Sequence, residues 1–195
     1  MTKKLAVVIP AGLDPENPEI RPIIDNIFIR NAEKLKEPDT TLDFFLLKRG
    51  FTDIDAFTWE SLNLWNSFEL FETVRQLKGK DYDGVVLHCY LDPFLTSLRQ
   101  LMDIPVVGVV QSSLIFSGLM GGKTGIVTFA RKAIPMLEEL LVKYGCRDRV
   151  VAIESTESST ADFFASFVDA HDLIESFKRE ARKCIAAGAE VLVPG

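Results

Sequence analysis

Short runs of β-branched and apolar residues alternate with longer stretches of helical periodicity along the chain. This alternation predicts an α/β fold, because neighbouring parallel strands need long crossover connections, usually helices. Several runs are apolar throughout, as expected for strands covered by helices on both faces. We predict strands at 5–9, 42–47, 84–88, 106–110, 125–128, 150–153 and 191–193. We predict helices near 19–36, 60–79, 93–102, 112–120, 131–144 and 160–187.

The length of 195 residues suits one large domain or two small, closely packed ones. The weakest point along the chain lies around residues 102–105, between the third predicted helix and the fourth predicted strand. We therefore divide the chain into two α/β halves, 1–103 and 104–195. The last predicted strand has no helix after it, so we expect a further C-terminal segment to complete the first half.

Composition excludes several classes of function. A net charge of −6 gives no basic surface for nucleic acid or an anionic membrane, and no apolar run is long enough to span a bilayer. The three cysteines are an odd number and lack the spacing of a disulfide framework or a zinc site. We therefore expect reduced thiols, a cytoplasmic location, and no bound metal, nucleic acid or membrane.

Cys89 directly follows the predicted strand 84–88 and precedes the Asp92-Pro93 pair. An aspartate before a proline is a good helix start, so we predict that Asp92 caps the following helix. The free amides and positive dipole at a helix start would favour the reactive thiolate and could hold a substrate carboxylate. Strand alternation points His88 to the opposite side. The alternative is that Cys89 is only a small buried hydrophobe.

Ligands of open parallel sheets bind in the loops that follow the carboxyl ends of the strands. Helix capping is an equally good explanation for the hydroxyl and amide side chains there. Cys146 and Cys184 lack the exposed, electropositive setting of a reactive thiol, so we interpret both as structural. The candidate binding residues in these loops are Pro10, Ala11, Tyr90, Gln111, Ser112, Thr128 and Phe129.

Four segments together resemble the Asp/Glu/hydantoin racemase superfamily, over essentially the whole chain. The most specific part is a strand followed by Cys-x-x-Asp-Pro and then by Ile-Pro-Val-x-Gly, and each piece alone is a weak signal. The segments are Val-Val-Leu-His-Cys-Tyr-Leu-Asp-Pro at 85–93, Ile-Pro-Val-Val-Gly at 104–108, Gly-Ile-Val-Thr at 125–128 and Gly-Ala-Glu-Val-Leu-Val-Pro-Gly at 188–195.

The resemblance implies two similar Rossmann/flavodoxin-like halves, each with a parallel sheet flanked by helices, and a site between them. It implies a cofactor-independent enzyme in which two cysteines face the substrate carbon from opposite sides. Cys89 would be the first of this pair, and the second is expected immediately after Gly195. The substrate carboxylate would lie against backbone amides around Cys89 and Tyr90, with Thr128 nearby. The resemblance also implies a homodimer.

The leading hypothesis is an isomerase, a racemase or epimerase acting at the carbon next to a carboxylate of an amino acid or a hydantoin-like compound. Two features depart from the family pattern: Ile9-Pro10-Ala11 replaces Asn-Pro-Asn, and Gln111 replaces an acidic residue. Alternatives are a maleate-type cis–trans isomerase with a cysteine nucleophile, a decarboxylase of malonate-like acids, and a non-catalytic protein that binds small carboxylates.

Overall fold

The chain divides into two compact units in a computed structural model that describes residues 2–10, 16, 18, 21–47, 59–159, 162, 166 and 169–195. The first unit consists of Met1–Ile54 and Ser61–Val109, and the second of Asp55–Glu60 and Val110–Gly195. The division after Val109 differs from the one drawn after residue 103 from sequence, because the fourth strand pairs with the third and so belongs to the first unit.

The first unit is built on a four-stranded parallel sheet with the order β2-β1-β3-β4. Helices α1 and α2 flank a π-helical segment, Asp25–Ile29, between the first two strands. The strands are β1 (Lys3–Ile9), β2 (Thr40–Leu46), β3 (Gly84–Leu87) and β4 (Val106–Gly108). The helices are α1 (Arg21–Ile24), α2 (Arg30–Leu35), α3 (Glu60–Arg75) and α4 (Leu95–Leu101).

Strand β1 lies at the centre of this sheet, and its last four residues are buried. Helix α3 buries Leu70 and Val74, which lie four residues apart and therefore on one face of the helix. Each fully buried aliphatic side chain of this size stabilises the folded state by roughly 1.5–3 kcal/mol. The same buried stripe of α3 also contains polar side chains, Asn63, Asn66 and Ser67.

The second unit contains a three-stranded parallel sheet with the order β6-β5-β7. Short 3-10 turns, Arg131–Ala133 and Arg147–Arg149, precede helix α6 and strand β6. The strands are β5 (Thr124–Thr128), β6 (Val150–Ser155) and β7 (Val191–Pro194), and the helices are α5 (Val109–Met120), α6 (Ile134–Lys143) and α7 (His171–Ala186).

All five residues of β5 are buried, and α7 packs closely against this strand. A Cβ atom added to Gly125 would lie 2.6 Å from the Cβ of Cys184 and 3.0 Å from that of Ala189. No real Cβ approaches that closely, so only glycine permits this approach of helix to strand. Cys184 is fully buried there and is one of the side chains that form the core of this unit.

The α/β fold with two parallel sheets flanked by helices is confirmed. One predicted boundary is wrong: β4 ends at Gly108 and α5 begins at Val109, whereas the strand was expected to continue to residue 110. The apolar Val109 and Val110 suit a buried helix as well as a strand. Within the predicted helix 160–187, the last helix is described as His171–Ala186.

Candidate functional site

The carboxyl ends of β1 and β3 meet at one edge of the first sheet. Val8 pairs with Leu87, and the backbone N–H of His88 donates to the carbonyl oxygen of Val8 at 2.8 Å. Pro10 and Cys89 come just after the ends of these two strands. Pro10 is buried. Two residues expected at the site from sequence therefore lie at the same edge of the first sheet, while Ala11 lies outside the described residues.

A tight turn follows Cys89. The Cys89 carbonyl accepts a hydrogen bond from the N–H of Asp92 at 3.2 Å, and the Asp92 carbonyl accepts one from Leu95 at 3.2 Å. Asp92 and Phe94 both have positive φ, 43° and 55°. Such backbone conformations are disfavoured for residues other than glycine and persist where the surrounding structure holds them.

Asp92 does not occupy the capping position expected from sequence. Helix α4 begins at Leu95, and its N-cap is Phe94, with no side-chain capping hydrogen bond. The Asp92 side chain is instead buried against β4, where a Cβ added to Gly108 would lie 2.5 Å from its Cγ. The reason is the turn: its left-handed residues fold the carboxylate back toward Gly108, which directly precedes α5.

The Cys89 thiol is a weaker acid than its position suggested. The pKa of Cys89 is raised to about 11: burial is the main cause, a hydrogen bond from the backbone of Leu91 partly opposes it, and the negative charge of Asp92 adds to it. The expectation that a helix start favours the thiolate is wrong for this structure, because α4 starts six residues later and desolvation dominates. In the free protein, the thiol form prevails at neutral pH.

The His88 side chain packs against the π-helical segment. Its ring meets Phe28 of the π-helical segment edge-to-face, with ring centroids 5.3 Å apart. Burial lowers the pKa of His88, so the neutral imidazole is favoured in the fold. This packing role fits the expected orientation of His88 away from Cys89.

Tyr90 carries a buried hydroxyl that has no hydrogen-bond partner within the described part of the chain. Burial and the charge of Asp92 raise the pKa of Tyr90 above its usual range. The hydroxyl therefore keeps its proton at neutral pH and is available as a donor. An unpartnered buried hydroxyl directly after Cys89 marks a position where a ligand atom would be stabilised.

Asn66 is a candidate site residue that the sequence analysis did not predict. Its Nδ2 donates to the carbonyl oxygen of Pro10 at 3.0 Å, although the two residues are 56 positions apart. Its Oδ1 is buried and has no hydrogen-bond partner among the described residues. The signal that could have revealed it is an asparagine in the apolar stripe of a helix, in line with Leu70 and Val74.

The remaining candidates from sequence lie in the second unit. Gln111 and Ser112 were expected at the end of the fourth strand, but they lie in the first turn of α5, because that helix begins at Val109. Thr128 is the buried last residue of β5, and its carbonyl accepts a hydrogen bond from the N–H of Thr156 at 2.9 Å. The Phe129 carbonyl accepts bonds from Ser155 and Thr156 side chains and from the Ser158 backbone.

The carboxyl end of β6 borders a cavity of about 340 Å³ in the second unit. Its charged groups form ion pairs with one another. Arg131 binds Glu157 at 2.6 Å, and the buried carboxylate of Glu180 binds Arg179 at 2.9 Å and Lys183 at 2.5 Å. Hydrogen bonds from Lys183 and Arg179 outweigh desolvation and lower the pKa of Glu180. The cavity is thus lined by compensated charges.

All three cysteines are free thiols, and Cys146 and Cys184 are buried. Cys146 accepts a hydrogen bond from Arg149 at 3.1 Å and donates one to the Tyr144 carbonyl at 3.4 Å. Over the described ranges, no group of three or more histidine, cysteine or acidic side chains is arranged to hold a metal ion. No helix in the same ranges has the length and apolar character needed to cross a membrane.

The sequence pattern of the Asp/Glu/Hydantoin racemase family matches residues 48–195 of this chain. The chain belongs to that family. The matched range includes β3 with Cys89, the turn that follows it, and every described element of the second unit. The resemblance stated from the sequence is therefore confirmed.

Curated relatives include two hydantoin racemases. The protein of Pseudomonas sp. (strain NS671) is 27% identical over 84% of this chain and 64% of its own length. That of Paenarthrobacter aurescens is 28% identical over 66% of this chain and 54% of its own length. The chain thus spans less than two thirds of the length of these relatives.

Solved structures of similar fold include allantoin racemase from Klebsiella pneumoniae, with a TM-score of 0.83 and 17% identity. The match covers 99% of this chain and 74% of that one. A Gly74Cys mutant of arylmalonate decarboxylase is a more distant neighbour, with a TM-score of 0.56 and 13% identity over 98% of this chain and 78% of that one. At these identities the likeness establishes the fold alone.

Proposed function

We propose that the protein is a racemase of a cyclic ureide such as a hydantoin, and that Cys89 carries a proton to or from the stereogenic carbon. The observation that carries this proposal is the half-buried Cys89 just after the carboxyl end of β3, followed directly by Tyr90, whose buried hydroxyl has no partner among the described residues. Family membership and the names of the relatives supply the reaction and substrate class.

Proton transfer at such a carbon requires a base on one face and an acid on the other. The C–H bond breaks, its electron pair passes into the adjacent carbonyl as an enolate, and a proton is delivered from the opposite face. With its raised pKa, Cys89 begins as the thiol and serves as the acid for one enantiomer. It then holds the thiolate that abstracts the proton of the other enantiomer.

Donors around the carbonyl that becomes the enolate must stabilise the developing negative charge. The Tyr90 hydroxyl is suited to this role, because its raised pKa keeps it protonated and it has no competing partner within the described ranges. Exclusion of water strengthens such a hydrogen bond and also explains why the Cys89 thiol is difficult to ionise.

The test is hydrogen–deuterium exchange at the stereogenic carbon, followed by proton NMR in D₂O for hydantoins, allantoin, amino acids and maleate. We expect exchange of a cyclic ureide, with loss of optical rotation at a matching rate. Cys89→Ser should reduce exchange by about 10²-fold or more, since it removes a proton carrier. Cys184→Ala, at a buried thiol of the second unit, serves as the control.

Exchange that survives in Cys89→Ser would refute the assignment of this thiol. Chemistry confined to maleate would indicate the cis–trans isomerase alternative. Binding without exchange of any compound would indicate the non-catalytic alternative, a protein that binds small carboxylates.

A further inference from the structure

We infer that the Asn66 side chain selects a ligand with an N–H group, which donates to Oδ1 while the Tyr90 hydroxyl donates to a carbonyl of the same ligand. For its ligand class this inference rests on the proposed function, and it assigns recognition to side chains on α3 and after β3. Both belong to the first unit.

The first step of the argument is the position of Asn66. Its Nδ2 is anchored on the Pro10 carbonyl at 3.0 Å, so the whole planar carboxamide lies at the end of β1. The ladder between β1 and β3 continues through the hydrogen bond from His88 to Val8. Pro10 and Cys89 therefore come just after the ends of two adjacent strands, and the Asn66 amide lies at the same edge of the sheet as the residue that carries the thiol.

A second contact brings α3 to the loop that carries Cys89. Phe71 of α3 packs edge-to-face on Phe94, with ring centroids 5.5 Å apart. Helix α3 therefore contacts both the end of β1, through Asn66, and the end of the turn after Cys89. Through these two contacts α3, which carries the carboxamide, is held against both the end of β1 and the turn after Cys89.

The third step concerns the oxygen atom of the carboxamide, Oδ1. Asn66 is 7% exposed, and its Oδ1 is buried without a partner in the described part of the chain. Because Nδ2 is fixed on the Pro10 carbonyl, the amide cannot be turned over to exchange its two ends without losing that bond. The atom without a partner among the described residues is therefore an acceptor, and it selects a donor.

The neighbouring polar side chain on α3 behaves differently. Ser67 is also buried, but its hydroxyl donates to the Leu64 carbonyl within the same helix. A buried polar group on this stripe can thus be satisfied locally, whereas Oδ1 of Asn66 has no partner in the part of the chain that the structure describes. The Tyr90 hydroxyl, unpartnered in the described ranges and kept protonated by its raised pKa, supplies the complementary donor.

An unpartnered acceptor on α3 and an unpartnered donor just after β3, both judged within the described residues, match a ligand in which N–H and C=O groups alternate, as they do in the ring of a cyclic ureide. A diacid such as maleate has no N–H group and would leave the Asn66 oxygen unsatisfied. Sites built to hydrogen-bond a ligand group reject analogues that lack it far more strongly than apolar pockets reject a change in size. Asn66 therefore separates ureides from simple diacids.

The experiment measures binding by titration calorimetry with methylhydantoin, methylated on its stereogenic carbon, and its two N-methyl derivatives. For the native protein we expect one N-methyl derivative to bind at least about tenfold more weakly than methylhydantoin. In Asn66→Leu, which keeps the size of the side chain, this discrimination should fall to within about twofold. Ser67→Ala, the neighbouring buried polar residue, should keep it.

Equal affinities of the native protein for all three compounds, no binding of any of them, or full discrimination in Asn66→Leu would overturn the inference. If Asn66→Leu does not fold, Asn66→Ala replaces it and should likewise lose the preference for N–H, because the acceptor oxygen is removed. Binding is measured separately from exchange. N–H-selective binding through Asn66 without exchange would refute only the racemase, whereas exchange without selectivity would refute only the role of Asn66.

Discussion

The carboxyl ends of β3 and β6 lie at equivalent edges of the sheets of the two units. The polar side chains near these two edges differ in whether they are paired. At β6 the charges lie in pairs, Arg131 with Glu157 and Glu180 with Lys183. At β3 the described structure leaves the Tyr90 hydroxyl and the Asn66 oxygen buried without partners.

Desolvation also raises the pKa of Cys89, because one backbone hydrogen bond offsets it only in part, whereas hydrogen bonds from two cations outweigh desolvation and lower the pKa of Glu180. An unmade buried hydrogen bond costs about 1–3 kcal/mol, and such groups persist where a ligand completes them. The paired edge is explained by folding alone. For the groups left unpaired among the described residues, we propose that a ligand supplies the partners.

The largest expected effect is on thiol reactivity. Alkylation of Cys89 by iodoacetamide should rise about tenfold per pH unit and approach its plateau only near pH 11, since the thiolate is the reactive form and burial raises the pKa to about 11. Site-resolved mass spectrometry would measure the profile. A plateau near the ordinary value of about 8.5 would erase the contrast between the two edges.

The same measurement tests the part played by Asp92. Its charge is one of the causes that raise the pKa of Cys89, so Asp92→Asn should accelerate alkylation at pH 8 several-fold. An unchanged rate would assign the whole shift to burial.

A smaller effect concerns two glycines, one in each unit. Gly108→Ala and Gly125→Ala should each destabilise the fold by about 1–3 kcal/mol, because the new methyl group meets Asp92 in one case and Cys184 in the other. Urea unfolding would measure both losses. Asp92→Ala should rescue Gly108→Ala, since the crowded atoms belong to the carboxyl group.

Cys184→Ala should not rescue Gly125→Ala, because the atom 2.6 Å away is the Cβ that alanine keeps. Rescue at both positions, or at neither, would contradict the packing described for the two units.

A still smaller effect is the pH dependence of stability that His88, the residue after β3, contributes. Burial lowers the pKa of His88, so the unfolded chain takes up a proton on this residue at a higher pH than the folded one. Stability should therefore fall as the pH drops below about 6.5, until the folded group also titrates. Thermal melting of His88→Gln should lose this slope, and the exposed His171→Gln should keep it.

The smallest effect concerns Glu180, whose pKa is lowered by Lys183 and Arg179. Its contribution is complete above the unfolded value of about 4.3 and is lost as the pH falls through the lower folded value. We expect less than about 1 kcal/mol, because both partner cations are largely exposed. Acid titration of Glu180→Gln would detect it as a shallower loss of stability below pH 4.

Most of the fold was predictable because the alternation of apolar strands with crossover helices extends over the whole chain. The end of β4 was not, because Val109 and Val110 fit a buried strand and a buried helix equally well. The sheet to which β4 belongs depends on its pairing with β3, and a three-residue strand does not encode its partner.

The candidate site also has features that the sequence predicts and features that it does not. Cys89 could be found from its place after a strand, since that place is local in sequence. Its raised pKa could not, because burial is produced by distant parts of the chain. Asn66 could not be predicted for the same reason, because the carbonyl that its side chain binds belongs to Pro10, 56 residues away.

The π-helical segment Asp25–Ile29 has a consequence for how the chain tolerates insertions and deletions. A π turn contains one residue more than an α turn, so removing one residue would leave a continuous α-helix between Arg21 and Leu35. The residues beyond the segment would keep their orientation, because the wide turn absorbs its extra residue. Phe28, which lies inside the segment, would lose the backbone geometry that holds it against the ring of His88. Removing one residue would thus preserve the helix but disturb the packing of His88, the residue before Cys89.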